Sequence, residues 1–213
     1  MHALLDRLEF HASGIHLGTD LQDYLGDSKA WWCPTQLAGR LVELSGWQNS
    51  AALTLSLEIA LDMQRQKDPV AWLTAQPSFF FPPDVAVSGL DLSALAVVVL
   101  PSSRAVLQAA ERLLRSGGFG LVIVDIGATL ELTLAAQSRL ASLAKKHDCV
   151  VLCLTHKTAE QSSLGSLISL RAHSSYRKSG DDCFVCELEA LKDKRRSPGW
   201  KHTALYSGPE GLR

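Results

Sequence analysis

Asp125 closes an apolar run, Phe119-Gly120-Leu121-Val122-Ile123-Val124-Asp125, and a carboxylate at the tip of a buried strand is a group that can hold a nucleotide-bound Mg²⁺ through water. Such a site needs three further parts: a glycine loop whose amides cradle phosphates, a lysine for the β- and γ-phosphates, and a hydroxyl on the metal, spaced G-x-x-x-x-G-K-[S/T]. Residues 39–57 have this layout, with the strand Arg40-Leu41-Val42-Glu43-Leu44, a loop opening at Gly46, and a helix beginning Leu53-Thr54-Leu55. Counted from Gly46, the glycine, lysine and hydroxyl positions hold Ala51, Ala52 and Leu53. An alanine resists positive φ, a methyl group carries no charge, and a branched hydrocarbon binds no metal. One carboxylate without these partners is not a catalytic site. The simpler role for Asp125 is to cap the turn that follows it, or the helix expected from about Glu131.

The elements that must position these groups alternate along the chain. Apolar strands at about 40–45, 70–74, 95–100, 119–124 and 149–154 are separated by helical patterns at about 50–66, 102–116 and 131–147, which predicts an α/β fold with a mostly parallel sheet covered on both faces. Val97-Val98-Val99-Leu100 and Leu121-Val122-Ile123-Val124 are continuous apolar runs, as expected of central strands. After 165 shorter polar and apolar segments at about 166–172, 182–190 and 201–206, with turns near Ser179-Gly180-Asp181 and Pro198-Gly199, predict an antiparallel extension. The expected organisation is a lead-in of a short helix and a loop over 1–38 and one core domain over 39–213.

Composition agrees: 46% hydrophobic and 20% charged residues are ordinary globular usage. A net charge of −1 gives no global attraction to nucleic acid or anionic membrane. The amino terminus, Met1-His2-Ala3-Leu4-Leu5-Asp6-Arg7, lacks a basic start and a long apolar stretch, so a cytoplasmic location is expected without membrane association. Of the five cysteines, Cys149 and Cys153 fall in an apolar strand, and Cys183 and Cys186 point to opposite faces of another, which disfavours a shared metal.

The segment 39–57 resembles the strand, P-loop and helix of the bacterial recombinase RecA. The resemblance continues in order through Val70-Ala71-Trp72-Leu73-Thr74-Ala75-Gln76, the run ending at Asp125, the strand from Cys149 to His156, Lys192-Asp193-Lys194 with Ser197-Pro198-Gly199, and the closing Tyr206-Ser207-Gly208-Pro209-Glu210-Gly211. It implies a RecA-like P-loop NTPase core with a degenerate nucleotide site. Where that family carries the glutamate that activates water, this chain has Gln76, an amide that takes no proton near neutral pH. Where it carries the sensor glutamine, this chain has His156. The resemblance therefore implies no enzymatic activity and no cofactor. The family grips DNA with loops after the Asp125 and His156 strands. Here the first connection is barely more than one helix, and the second, Lys157-Thr158-Ala159-Glu160-Gln161-Ser162-Ser163-Leu164-Gly165, is short with a single lysine, so weak or no DNA binding is expected.

In the recombinases the Lys-x-Lys pair lies between protomers and reaches the neighbour's ATP. Lys192, Lys194, Arg195 and Arg196 therefore stand either as a retained partner interface or as a solvated loop, with nucleic-acid binding a third reading. Trp31-Trp32 and Phe79-Phe80-Phe81 cannot all face one way, so each set supplies core rings and leaves others for a protein-binding patch. Trp47 either covers the emptied phosphate pocket or is a partly exposed turn residue. A RecA-like core with these losses resembles the accessory proteins of the bacterial damage response, above all the ImuA family. The implied role is a non-catalytic adaptor in SOS mutagenesis and translesion synthesis. Its implied partners are an ImuB-type Y-family polymerase homologue, a replicative-type polymerase of the same cassette, and RecA, whose activity it would restrain. The alternatives are a SulA-like division inhibitor binding FtsZ, or a weak nucleotide- or DNA-binding protein.

Overall fold

A computed structural model of the protein describes residues 31–75, 85–86, 88–127, 132–179 and 183–207. The short α1 (Pro34–Leu37) leads into β1 (Leu41–Ser45), α2 (Ala52–Arg65), β2 (Val70–Thr74), β3 (Leu95–Val99), α3 (Ser103–Ser116), β4 (Leu121–Gly127), α4 (Leu134–His147) and β5 (Val150–Thr155). Three longer strands close the fold: β6 (Leu170–Lys178), β7 (Cys183–Asp193) and β8 (Lys201–Ser207). All join one sheet in the order β3-β2-β4-β5-β1-β6-β7-β8. The first five are mutually parallel where they pair, as the sequence predicts; β6, expected as the first strand of the antiparallel extension, pairs parallel with β1 and antiparallel with β7, and β7 and β8 are the antiparallel additions.

Runs apolar on both sides are stable only between two covering layers, and β1, β2, β4 and β5 are buried along their whole length. On one face Val42, Leu44, Trp72, Ile123 and Leu152 pack with Leu55 and Ile59 of α2. On the other Leu41, Val122, Val124, Val151 and Cys153 pack with Val106, Ala110 and Leu114 of α3 and Leu140 of α4. The three buried α3 positions recur every four residues, which makes a helix stripe. Ser102 caps α3 by accepting from the Ala105 amide at 3.3 Å, and Gly117, at φ 69°, ends it in the left-handed conformation that glycine enters without strain. Thr133 caps α4 in the same way, and Lys145, Lys146 and His147 lie in its last turn, against the negative end of its dipole.

Two expectations need correction. The run Val97-Val98-Val99 is not central: among the described residues β3 is an outer strand, and Ala96, Val97, Val98 and Val99 are all exposed. Continuity of apolar residues reports that neither side is polar; it does not count neighbouring strands. The first strand of the antiparallel extension begins at Leu170, not near 166, and runs on to Lys178. A turn precedes it, with the Ile168 amide donating to Gly165 O at 3.4 Å, and pairing with the long β7 carries β6 through Ser174-Ser175, where the apolar alternation lapses. Residues 1–30, including the expected first helix, Gln76, Phe79-Phe80-Phe81, Glu131 and the closing Gly208-Pro209-Glu210-Gly211 lie outside the described residues. No described helix is long and apolar enough to cross a membrane.

Candidate functional site

The loop between β1 and α2 is the one in which the sequence suggests a phosphate-cradling layout, and its own packing fixes its shape. A Cβ added at Gly46 would lie 1.9 Å from Ser50 Oγ and 3.0 Å from Ser174 Oγ, so only glycine fits. The Gly46 amide donates to Thr155 O at 3.1 Å and the Tyr176 amide to Asn49 O at 2.7 Å, which ties the loop to β5 and β6. Gln48 and Asn49 take positive φ, 36° and 21°. Ala51, at the second-glycine position, has φ −91° and is buried. Ala52 and Leu53 pack against the α2-side core, and the Ala52 amide is served by Ser50 Oγ at 3.2 Å. The strand, loop and helix are assembled as the spacing predicts. The three working positions present methyl and isobutyl groups, which can neutralise no phosphate and bind no metal. Trp47 is 53% exposed on the loop's outer side.

Asp125 and His156 are brought to neighbouring strand ends, since β4 pairs with β5 and the His156 amide donates to Gly127 O at 3.2 Å. The Asp125 carboxylate is buried and accepts from Thr74 Oγ1 at 3.1 Å, across the β2–β4 pair. Burial raises its pKa, against the opposing effects of Thr74, His156 and the Gly127 amide. The Gly127 amide belongs to the end of β4 itself, and the turn that Asp125 is expected to cap lies outside the described residues.

Sequence reasoning missed a second carboxylate. Glu43, in the middle of β1, is fully buried. Its Oε2 accepts from Ser163 Oγ at 2.7 Å and from the Leu164 amide at 2.8 Å; Oε1 accepts from Thr155 Oγ1 at 3.2 Å and lies 3.6 Å from Lys157 Nζ. Arg171 is also buried and donates to the carbonyls of Thr158, at 2.9 Å, and Gln161. Gln137 of α4 accepts from the Leu167 amide at 3.0 Å. The connection after His156 is thus held at three points, by Glu43 and Arg171 of the sheet and by Gln137 of α4. The available signal was a single charge inside an otherwise buried strand, which must find partners or cost several kcal/mol, roughly, to bury.

The basic cluster divides. Lys192 and Lys194 point together at the turn before β6, Nζ to Ser166 O distances being 3.3 and 2.7 Å. Partial burial and the neighbouring Lys194 lower the Lys192 pKa. Arg195 and Arg196 turn toward the lead-in. Arg195 donates to Ala38 O at 3.1 Å, Arg196 donates to Gln36 Oε1, and its guanidinium lies 3.7 Å over the Trp31 ring. Trp32 is core, 2% exposed, with Nε1 donating to Leu55 O at 3.1 Å; Trp31 is the ring of the pair left half-buried. Beneath them Arg40 and Asp193 form a buried ion pair of 2.5 Å, with Trp200 Nε1 and the Arg195 amide also donating to Asp193.

No family model matches the chain. It is 34% identical over 93 residues to the protein RecA of a Nocardioides species, covering 43% of this chain and 26% of that one. It is 29% identical over 92 residues to the RecA of Fusobacterium nucleatum, covering 43% and 24%. The chain thus spans about a quarter of the length of these relatives. Among solved structures it is similar to the RadB recombinase, with a TM-score of 0.59 at 17% identity over 78% of this chain and 87% of that one. The fold is therefore recombinase-like.

Proposed function

We propose that this chain is a non-catalytic RecA-like adaptor of the bacterial DNA-damage response, which supports translesion synthesis by contacts with a polymerase-like partner and restrains RecA. One observation supports the reading: a strand, loop and helix are laid out as a nucleotide site would need, while Ala52 and Leu53, at the positions that would carry the lysine and hydroxyl, are hydrocarbon side chains packed against the core. Phosphoryl transfer depends on charge neutralisation by that lysine and a metal, and Asp125, whose carboxylate is engaged by Thr74, does not replace the lysine. The pinned connection after His156 supports the same reading, because it offers no loop free to wrap a DNA strand. The face bearing Lys192 and Lys194 is the surface proposed to meet RecA. Purified protein with saturating ATP and Mg²⁺ should show no turnover above buffer and no thermal shift. Turnover abolished by Asp125→Ala would contradict the reading.

A further inference from the structure

The helices on the two faces of the sheet are charged differently. Helix α2 covers one face and carries Glu58, Asp62 and Arg65. Helices α3 and α4 share the other, with their buried stripes on the sheet. Outside those stripes stand Arg104, Arg112, Arg115, Arg139, Lys145 and Lys146, all exposed. Glu111 is the one carboxylate in either helix, and Asp148 follows just after α4. The two oxygens of Glu111 accept from Arg115 at 2.6 Å and from Arg139 at 3.1 Å, which joins the helices into one surface. Among the described residues Arg104, Arg112, Lys145 and Lys146 form no ion pair. Arg115, Lys145 and Lys146 lie in last turns, where the helix dipole favours a cation. Arg104 lies in the first turn of α3, where the dipole opposes one, and Arg112 stands three residues from Arg115, a spacing at which like charges repel. Neither serves the helix; both suit a surface that meets negative charge.

The rest of the layer indicates what carries that negative charge. Neither helix has an aromatic ring on which a base could stack, and Glu111 between the arginines repels a phosphate backbone laid across it. Leu134, 62% exposed, opens α4. The two helices connect parallel strands and run the same way, so Leu134 lies toward the Arg104 end of the layer. An apolar anchor bordered by charge is how protein interfaces are built, with a polar rim around a desolvated centre. A protein segment can set an apolar side chain on Leu134 and carboxylates on Arg104 and Arg112 while placing none opposite Glu111.

We propose that the α3–α4 surface docks an acidic segment of a partner protein, anchored by an apolar side chain on Leu134. This does not depend on the RecA reading, whose surface is the face bearing Lys192 and Lys194. Fluorescence anisotropy on the full chain tests it, with a labelled synthetic helix of about 20 residues, long enough to hold its shape, that carries glutamates on one face and leucines on the other. Micromolar binding is expected, weakened about tenfold by Arg104→Glu combined with Arg112→Glu. The melting temperature should not fall in that variant, because both side chains are exposed and a carboxylate at 104 suits the α3 dipole. Leu134→Ser should weaken binding too, by a factor that salt does not alter. An affinity unchanged by either variant would overturn the proposal, as would no binding up to about 100 μM. Tighter binding of a single-stranded oligonucleotide of the same charge would overturn it as well, and make the surface a general polyanion site.

Discussion

At the residue scale, the most consequential side chains include some that no motif marks. Arg40 and Asp193 meet far apart in sequence and are both buried. Burial opposes ionisation of Asp193, but the Arg195 amide, Arg40 and Trp200 outweigh it and hold its pKa below the usual carboxylate range. Breaking one half of a buried pair leaves the other charge uncompensated, so Asp193→Ala should cost about 3–5 kcal/mol in urea denaturation near neutral pH. The sign of the pH dependence follows from the lowered pKa: the contribution is full above the unfolded carboxylate value and is lost as pH falls through the folded one. The gap between wild type and Asp193→Ala should therefore narrow in acid; a gap that widens would show that Asp193 is not ionised in the folded protein. Ala51, Ala52 and Leu53 were legible because a spacing rule says what belongs there. Glu43 and Asp193 were not, because a buried charge is explained only by partners that the fold brings from distant segments.

At the element scale, strands and helices were legible from their apolar patterning, and β2 occupies 70–74 as read. The sequence did not separate an interior from an outer apolar strand, nor a free connection from a pinned one, since both depend on neighbours. Glu43 and Arg171 hold the connection after His156, and Glu43→Ala would leave the buried Leu164 amide without its acceptor. An unsatisfied buried group costs about 1–3 kcal/mol. Hydrogen exchange should then accelerate over 157–168 while α2, packed on the other face of the sheet, is unchanged. Uniform acceleration across the whole sheet would mean that Glu43 supports the fold rather than this connection.

At the scale of the whole molecule, a recombinase-like body with a net charge of −1 and its Arg195 and Arg196 turned onto the lead-in offers few cations to a phosphate backbone. Single-stranded DNA should bind weakly in fluorescence anisotropy, and moderate salt should remove the signal, because counterion release supplies most of such affinity. Sub-micromolar binding that falls on Lys192→Ala and Lys194→Ala would make the chain a nucleic-acid binder. The proposed function is action by contact on RecA. RecA-driven strand exchange, titrated with this chain at saturating ATP, tests that claim most directly. Inhibition that saturates at or below one chain per RecA is the predicted result, and undiminished exchange at about tenfold excess, where even micromolar affinity would fill the surface, would contradict it.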